Sequence, residues 1–436
     1  MKRLLIRNGR VVDPSQGLDQ GMDILVEDGV IVAVGEKLDT PGRTQVFDAA
    51  GLVVAPGFID LHTHLREPGF EHKETIASGC RAAAAGGFTA VCCMPDTRPV
   101  NDDPSVTTFI RERAEQAGMS RVYPVGALSQ GLAGEAMAEI GEMVAAGAVA
   151  VSDDRRPVRN ALLFRRALEY ARSFDIPVAA HEEDLDLSDG GSMHEGRVST
   201  RIGLAGIPTA AEDVMVARDI LLAELTGGRL HLCHLSTATA LDLVRTGKRR
   251  GLALSCEVAA HQFVLTDEDV AAASYDPKWK TCPPLRGAAE VEAILQAIYD
   301  GTVDAIVSDH EPHHADEKEL DFSDAPAGIA GLETAVPLAL DRLVHGRVIG
   351  LMQLVRLMST RPAEIFSLPG GTMREGAAAD LTVLDLRALK SVEPERFESR
   401  SRNTPFAGRR LKGWPAATIV GGSIVWQAKK QGKARD

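Results

Sequence analysis

The sequence has no Cys-x-x-Cys pair among its six cysteines, Cys80, Cys92, Cys93, Cys233, Cys256 and Cys282. That spacing argues against a zinc ribbon or a disulfide framework and predicts reduced thiols, several of them in buried strands. Nor does any run approach the roughly 18 consecutive apolar residues of a membrane-spanning helix. The opening residues, MKRLLIRNGRVVDP, have a basic start without an apolar h-region, so the expected location is the cytoplasm. Positive charge is in deficit: 48 Lys and Arg stand against 61 Asp and Glu, a formal net charge of −13. This speaks against a nucleic-acid or anionic-membrane partner, and an anionic substrate would need cations gathered locally. Short-period repeats and low-complexity tracts are also lacking.

What the chain does have is length and apolar patterning. Its 436 residues, 44% hydrophobic with 41 Gly and 22 Pro, fit a large barrel with an accessory domain. From Leu4 to Val54 the segments LLIRNGRVV, DILVEDGVIVAVG and TQVFDAAGLVV read as strands of an antiparallel sheet. DLTVLDL and ATIVGGSIVW near the other end have the same character. Residues 1–54 and 370–436 are therefore expected to combine into one small β domain. Between them, over residues 55–369, eight apolar strand candidates alternate with amphipathic stretches: GFIDLHTH, FTAVCCMP, RVYPVGAL, AVAVSDD, IPVAAHEE, RLHLCHLS, LALSCEVAAH and DAIVSDHEP. Helical patterns fall at Leu162–Ser173 and Ala210–Leu225, and AAAAGG reads as a helix ending at glycine. The fold class that follows is α/β, a (β/α)₈ TIM-type barrel.

Active sites of such barrels lie at the C-terminal ends of the strands. His62 and His64 end the first strand, about 7 Å apart on one face, a spacing that lets both reach one ion. Asp153-Asp154 end the fourth strand, His181 the fifth, His234 the sixth and Asp309-His310 the eighth. Imidazole and carboxylate together suit zinc or a similar divalent ion. A lone His-x-His pair is equally well read as two solvated imidazoles, but the full set at one mouth is not. Asp309 is the first choice for general acid/base. No lysine occurs between Lys73 and Lys248, which excludes a carboxylated lysine after the fourth strand. If two ions bind, Asp154 is the candidate bridge, with Asp153 in a supporting or loop role. Arg66 lies on the same strand face as the two histidines and supplies a fork for a carboxylate.

The run HTHLREPGFEHKETIASGCRAAAAGGFTAVCCMPDTRPVND, followed by VSDD, HEED, GIPTAAEDVMVARDI, RLHLCHLST, CPPLR and SDHEPH with GLET, resembles the dihydroorotases of the amidohydrolase superfamily, in their type I bacterial branch. The likeness spans nearly the whole chain. It implies a zinc enzyme of pyrimidine biosynthesis, holding one or two Zn2+ ions, that interconverts N-carbamoyl-L-aspartate and L-dihydroorotate. Carried over residue by residue, it makes His62, His64, Asp154, His181 and His234 metal ligands and Asp309 the catalytic acid/base and a ligand. Arg66 and His313 would hold the substrate carboxylate, and Ala327-Gly328 would supply a backbone contact in the loop after the eighth strand. The charged segment His313–Gly328 is read as a loop able to close over the site.

The pattern departs at two substrate-contact positions. Asp96 stands where the family has asparagine, and Cys282 replaces a second asparagine before Pro-Pro-Leu-Arg. An ionised Asp96 only accepts hydrogen bonds and would repel a substrate carboxylate unless protonated or turned toward Arg66. Cys282 offers a softer, less polar wall. CEVAAHQF also replaces the more usual Thr-Pro-His-His, keeping His261. Two alternatives follow: a related cyclic amidase acting on another, hydantoin-like ring, or a non-catalytic partner of aspartate carbamoyltransferase. Beyond a small-molecule substrate, a homo-oligomer and a complex with that carbamoyltransferase both stay open.

Overall fold

The structure is a computed structural model that describes residues 2–39 and 42–429. Residues 1, 40, 41 and 430–436, all within the expected β domain, lie outside the described residues. The chain opens with β1 (Arg3–Asp13), β2 (Leu18–Glu27), β3 (Val30–Gly35), β4 (Gln45–Asp48) and β5 (Val53–Pro56). There follow β6 (Phe58–Thr63), β7 (Phe88–Cys93), β8 (Arg121–Ala127), β9 (Ala150–Ser152) and β10 (Val178–Ala180). A short excursion pairs β11 (Met193–His194) with β12 (Gly206–Ile207). Next come β13 (Leu230–Leu232), β14 (Leu254–Ala259) and β15 (Ala305–Val307), and the chain closes with β16 (Leu381–Ser391), β17 (Arg410–Val420) and β18 (Ser423–Gln427).

Strands β6–β10 and β13–β15 are consecutive parallel neighbours in one eight-stranded sheet. The circle is completed where Thr63 bridges His310 in parallel and the His64 amide donates to the His310 carbonyl at 2.9 Å. Every one of the eight expected strand segments contains one of these strands. They read as continuous apolar runs because both faces are buried. Ile59, Leu61, Ala90, Val125, Ala150, Ala179, Ala259 and Val307 fill the interior, and small side chains dominate where the strands converge. Phe58, Phe88, Val91, Val178, Leu232, Val258 and Ile306 belong to the larger core shared with the helices.

The helices begin and stop where local chemistry dictates. Helix Ile76–Gly86 starts with a Thr75/Ser78 capping box and ends at Gly87, whose φ of 90° suits a residue without Cβ. Helix Ala161–Arg172 is capped by the Asn160 side chain, and helix Ala210–Thr226 ends at Gly227. Among the described residues no helix is long and apolar enough to cross a membrane.

The terminal strands form a second sheet in the order β18-β17-β16-β5-β1-β2-β3, with β4 also beside β1. Within TQVFDAAGLVV, the turn closed by the Leu52 amide on the Ala49 carbonyl, with Gly51 at φ 76°, separates β4 from β5. One expectation needs correction: the sheet is not wholly antiparallel, because β4 and β5 both return beside β1 running in its own direction. The pairs β1–β2, β2–β3, β16–β17 and β17–β18 and the β5–β16 junction are antiparallel.

Thr382 of β16 ties this sheet to the barrel. Its hydroxyl accepts from the Phe58 amide at 2.9 Å and donates to the Gly87 carbonyl at 2.7 Å, both contacts buried. Thr382→Val keeps the shape but leaves a buried donor and a buried acceptor unpaired. It should cost about 1–3 kcal/mol, read as a lower urea midpoint at unchanged slope.

Candidate active site

The side chains at the C-terminal ends of the barrel strands meet as an arc of imidazoles. The His62 and His64 rings lie 5.6 Å apart, His62 and His234 4.9 Å, and His181 and His234 4.8 Å, measured between centroids. Asp154 Oδ1 sits 3.2 Å from His62 Nε2 and 3.9 Å from His64 Nε2. Asp309 Oδ1 stands 3.9 Å from His62 Nε2. Ligand atoms of His62, His64 and Asp309 lie within 4.8 Å of one another. All of these residues are buried.

Backbone strain marks the same positions. Asp154, His234 and Asp309 have φ of 48°, 34° and 48°, and Arg66 has 62°, a region that side-chain-bearing residues enter at a cost of order 1–3 kcal/mol. Serine hydroxyls two residues back hold two of the turns. Ser152 Oγ accepts from the Asp154 amide at 2.8 Å, and Ser308 Oγ accepts from the His310 amide at 3.1 Å. Asp60 in turn accepts from the Ser308 amide at 3.1 Å. Asp153 points away from the histidines and caps the neighbouring loop through the amides of Leu128 and Ser129.

Tautomers are fixed from behind. His62 Nδ1 faces Glu257 Oε1 at 2.9 Å, and the other Glu257 oxygen faces His231 Nε2 at 3.0 Å. Donation from Nδ1 leaves the Nε2 lone pair of His62 aimed at Asp154 and the mouth. His64 is oriented in the same way, with Nδ1 2.8 Å from Asp96 Oδ1. His181 presents Nδ1 to His234 Nε2 at 3.1 Å and Nε2 to Glu183 Oε2, also at 3.1 Å. Two imidazole nitrogens bound to one zinc at about 2.0–2.1 Å lie about 3.3 Å apart, so the His181–His234 pair fits a shared ion. His234 Nδ1 is buried without a hydrogen-bond partner among the described residues. The donor set fits zinc.

The electrostatics separate the carboxylates. Burial alone would raise Asp154, yet His64 and His62 hold it well below the usual carboxylate range. Burial pushes Asp309 up to about 6 against the pull of His62, with Glu311 adding to the rise. Of Asp154 and Asp309, Asp309 is thus the more easily protonated, as a proton carrier requires.

Next to this arc lies a cavity of about 360 Å³ lined by Arg66, Lys73, Asp96, Asp154, Arg155 and Glu311, among others. Its cations answer the acidic overall charge. Asp96 is turned toward Arg66, accepting from Nη1 at 2.6 Å, and Glu311 accepts from Nη2 at 3.2 Å. His313 joins the ends of its loop: Nε2 is 2.9 Å from the Ala327 carbonyl, and Nδ1 is 3.3 Å from Lys73 Nζ. The Gly328 amide donates to the Lys280 carbonyl at 2.8 Å. Cys282 lies apart from this cavity, against His181 and Glu183.

Glu257, Glu183, Lys73, Arg155 and Glu311 are absent from the set picked out in the sequence. One signal was available: Glu257 is a lone charge in the buried strand LSCEVA, and a charge there demands a partner.

Residues 51–240 match the family described as Dihydro-orotase-like. The dihydroorotase of Anaeromyxobacter dehalogenans is 53% identical over 427 residues, 98% of each chain. That of Geobacter metallireducens is 50% identical over 424 residues, 97% of this chain and 99% of its own. The chain belongs to the dihydroorotase family. It is a cyclic amide hydrolase. Among solved structures, the L-hydantoinase (dihydropyrimidinase) of Arthrobacter aurescens superposes with a TM-score of 0.88 at 25% identity, covering 98% of this chain and 96% of that one. The dihydropyrimidinase of Brevibacillus agri gives 0.84 at 23%, covering 98% and 95%. This chain thus shares its overall fold with these two enzymes.

Glu257 is the buried group that fixes His62. Glu257→Gln should lower affinity for a divalent metal by about 10–100-fold, measured by competition with a chelator, with the circular dichroism spectrum unchanged.

Proposed function

We propose that this cyclic amidohydrolase of pyrimidine biosynthesis interconverts N-carbamoyl-L-aspartate and L-dihydroorotate with zinc. The observation that carries the reading is the juxtaposition of the histidine arc and Asp309 with a cavity whose wall holds Arg66, Lys73 and Arg155. The relatives at about half identity support the same substrate. His62, His64, Asp154, His181 and His234 would hold one or two ions. Zinc bound there supplies Lewis acidity toward the ring carbonyl and makes water easier to deprotonate.

The chain's own groups do the rest. Asp309 takes the proton released as the carbonyl is attacked and returns it to the departing ring nitrogen. In ring closure it accepts the proton of the attacking nitrogen instead. Arg66 and the Lys73–His313 pair draw the substrate carboxylate toward the cavity wall, which orients the ring with its amide bond at the histidines. A hydantoin-like ring lacking a carboxylate would make no use of the Arg66 fork, which favours dihydroorotate over it.

The deciding assay is ring opening of L-dihydroorotate by the zinc-loaded protein, with hydantoin and allantoin in parallel. Dihydroorotate is the expected substrate, and Asp309→Asn should cut its turnover by about 10²–10⁴-fold while zinc content holds. Turnover of hydantoin alone would overturn the reading. Near-normal activity of the variant would remove Asp309 from its role.

Asp96 competes with substrate for Arg66. Asp96→Asn should leave KM for dihydroorotate level or lower it by up to about fivefold, the equivalent of about 1 kcal/mol for a partly exposed ion pair. A large rise in KM would show instead that the grip of Asp96 on Arg66 and His64 is itself required.

A further inference from the structure

Glu183, Cys282 and the outer nitrogen of His181 come together on the side of the His181 ring that faces away from His234. His181 Nε2 is 3.1 Å from Glu183 Oε2, Cys282 Sγ is 3.6 Å from the same oxygen, and Cys282 Sγ is 3.8 Å from His181 Nε2. A tetrahedral ion about 2.0–2.1 Å from nitrogen and oxygen and about 2.3 Å from sulfur would set those edges near 3.3 Å and 3.6 Å. The three atoms already form that triangle to within a few tenths of an ångström. They come from two separate parts of the chain, the end of β10 and the Thr281–Arg286 segment, so the triangle is a product of the fold.

The alternative account of Glu183 is that it only orients His181, as Glu257 orients His62. It does not account for a thiol completing the set. Glu183 offers a single oxygen, Oε2, to both of the other donor atoms. Its side chain is 16% exposed and Cys282 is only half-buried, which leaves a path from solvent and room for water as a fourth ligand. By contrast, the other five cysteines are buried. Thiolate, imidazole and carboxylate together favour zinc or cadmium over magnesium or calcium.

We propose that His181 Nε2, Glu183 and Cys282 form an auxiliary site for a thiophilic divalent cation, sharing only His181 with the catalytic set. On binding, the Cys282 thiol proton and the His181 Nε2 proton pass to solvent, and the ring bridges the two sites through its two nitrogens. The sharing rests on the reading of His181 Nδ1 as a catalytic-metal ligand; the auxiliary triangle itself does not.

The test uses the full-length, zinc-loaded protein dialysed against cadmium chloride, with bound zinc and cadmium counted and the ultraviolet spectrum recorded. One cadmium per chain beyond the retained zinc is expected, with a thiolate-to-cadmium charge-transfer absorption. Cys282→Ser should lose both the extra cadmium and the absorption while keeping its zinc and its circular dichroism. Glu183→Gln should weaken cadmium binding by at least the roughly tenfold that loss of a supporting partner costs. No extra cadmium in the wild type, or an absorption that survives Cys282→Ser, would overturn the proposal. Dihydroorotate ring opening is followed on the same zinc-loaded samples before dialysis. Its absence alongside a normal cadmium site would sink the assigned reaction and leave the auxiliary site standing.

Discussion

Buried charge is the constraint on which the barrel mouth depends. Asp154, Glu257, Asp309 and Glu311 are all buried within one region, where an unpaired carboxylate would cost several kcal/mol. Each has therefore been given a partner: His62 and His64 for Asp154, His62 and His231 for Glu257, Arg66 and Arg155 for Glu311. Asp309 has the weakest pairing, with its nearest imidazole nitrogen at 3.9 Å, and burial accordingly drives it toward protonation. The same low-dielectric setting makes a divalent cation at the arc electrostatically welcome and leaves one carboxylate free to exchange a proton.

Holding these groups requires strained backbone, and the barrel supplies the restraint. The left-handed residues Asp154, His234 and Asp309 come within two residues of strands β9, β13 and β15. Each strand is short and paired on both sides, β15 reaching β6 through the Thr63–His310 bridge. A turn that would relax in an isolated peptide is thereby pinned at both ends of its hydrogen-bond ladder. Closure of the barrel and orientation of the donors are one event.

How much of this could be read in the sequence follows from which interactions are local. A strand buried on both faces announces itself as an apolar run, so all eight barrel strands were legible, as was the helix end at Gly87. The histidines and aspartates were legible because they interrupt such runs at one end. The parallel return of β4 and β5 beside β1 was not, since strand direction is set by long-range packing and not by composition. Glu257 and Glu183 escaped notice for a related reason. Their meaning lies in His62 and His181 rings whose orientation no sequence spacing conveys.

The two departures from the family pattern have unrelated physical consequences, although both fall at positions associated with substrate. Asp96 faces the cavity and sits between His64 and Arg66, so its negative charge acts on a ligand and on a substrate-binding cation together. Cys282 faces the far edge of His181 and Glu183, outside the residues that line that cavity. Arg66 is where the first consequence concentrates. Its Nε donates to the Pro312 carbonyl, while Asp96 and Glu311 engage its two terminal nitrogens. A substrate carboxylate must therefore share a guanidinium that two protein carboxylates already hold. Its binding energy is the difference between those pairings, which makes orientation the main gain from Arg66. Lys73 and Arg155, close by on the same wall, are likewise held by Glu317 and Glu311, so a substrate carboxylate there exchanges partners with protein carboxylates instead of meeting bare cations.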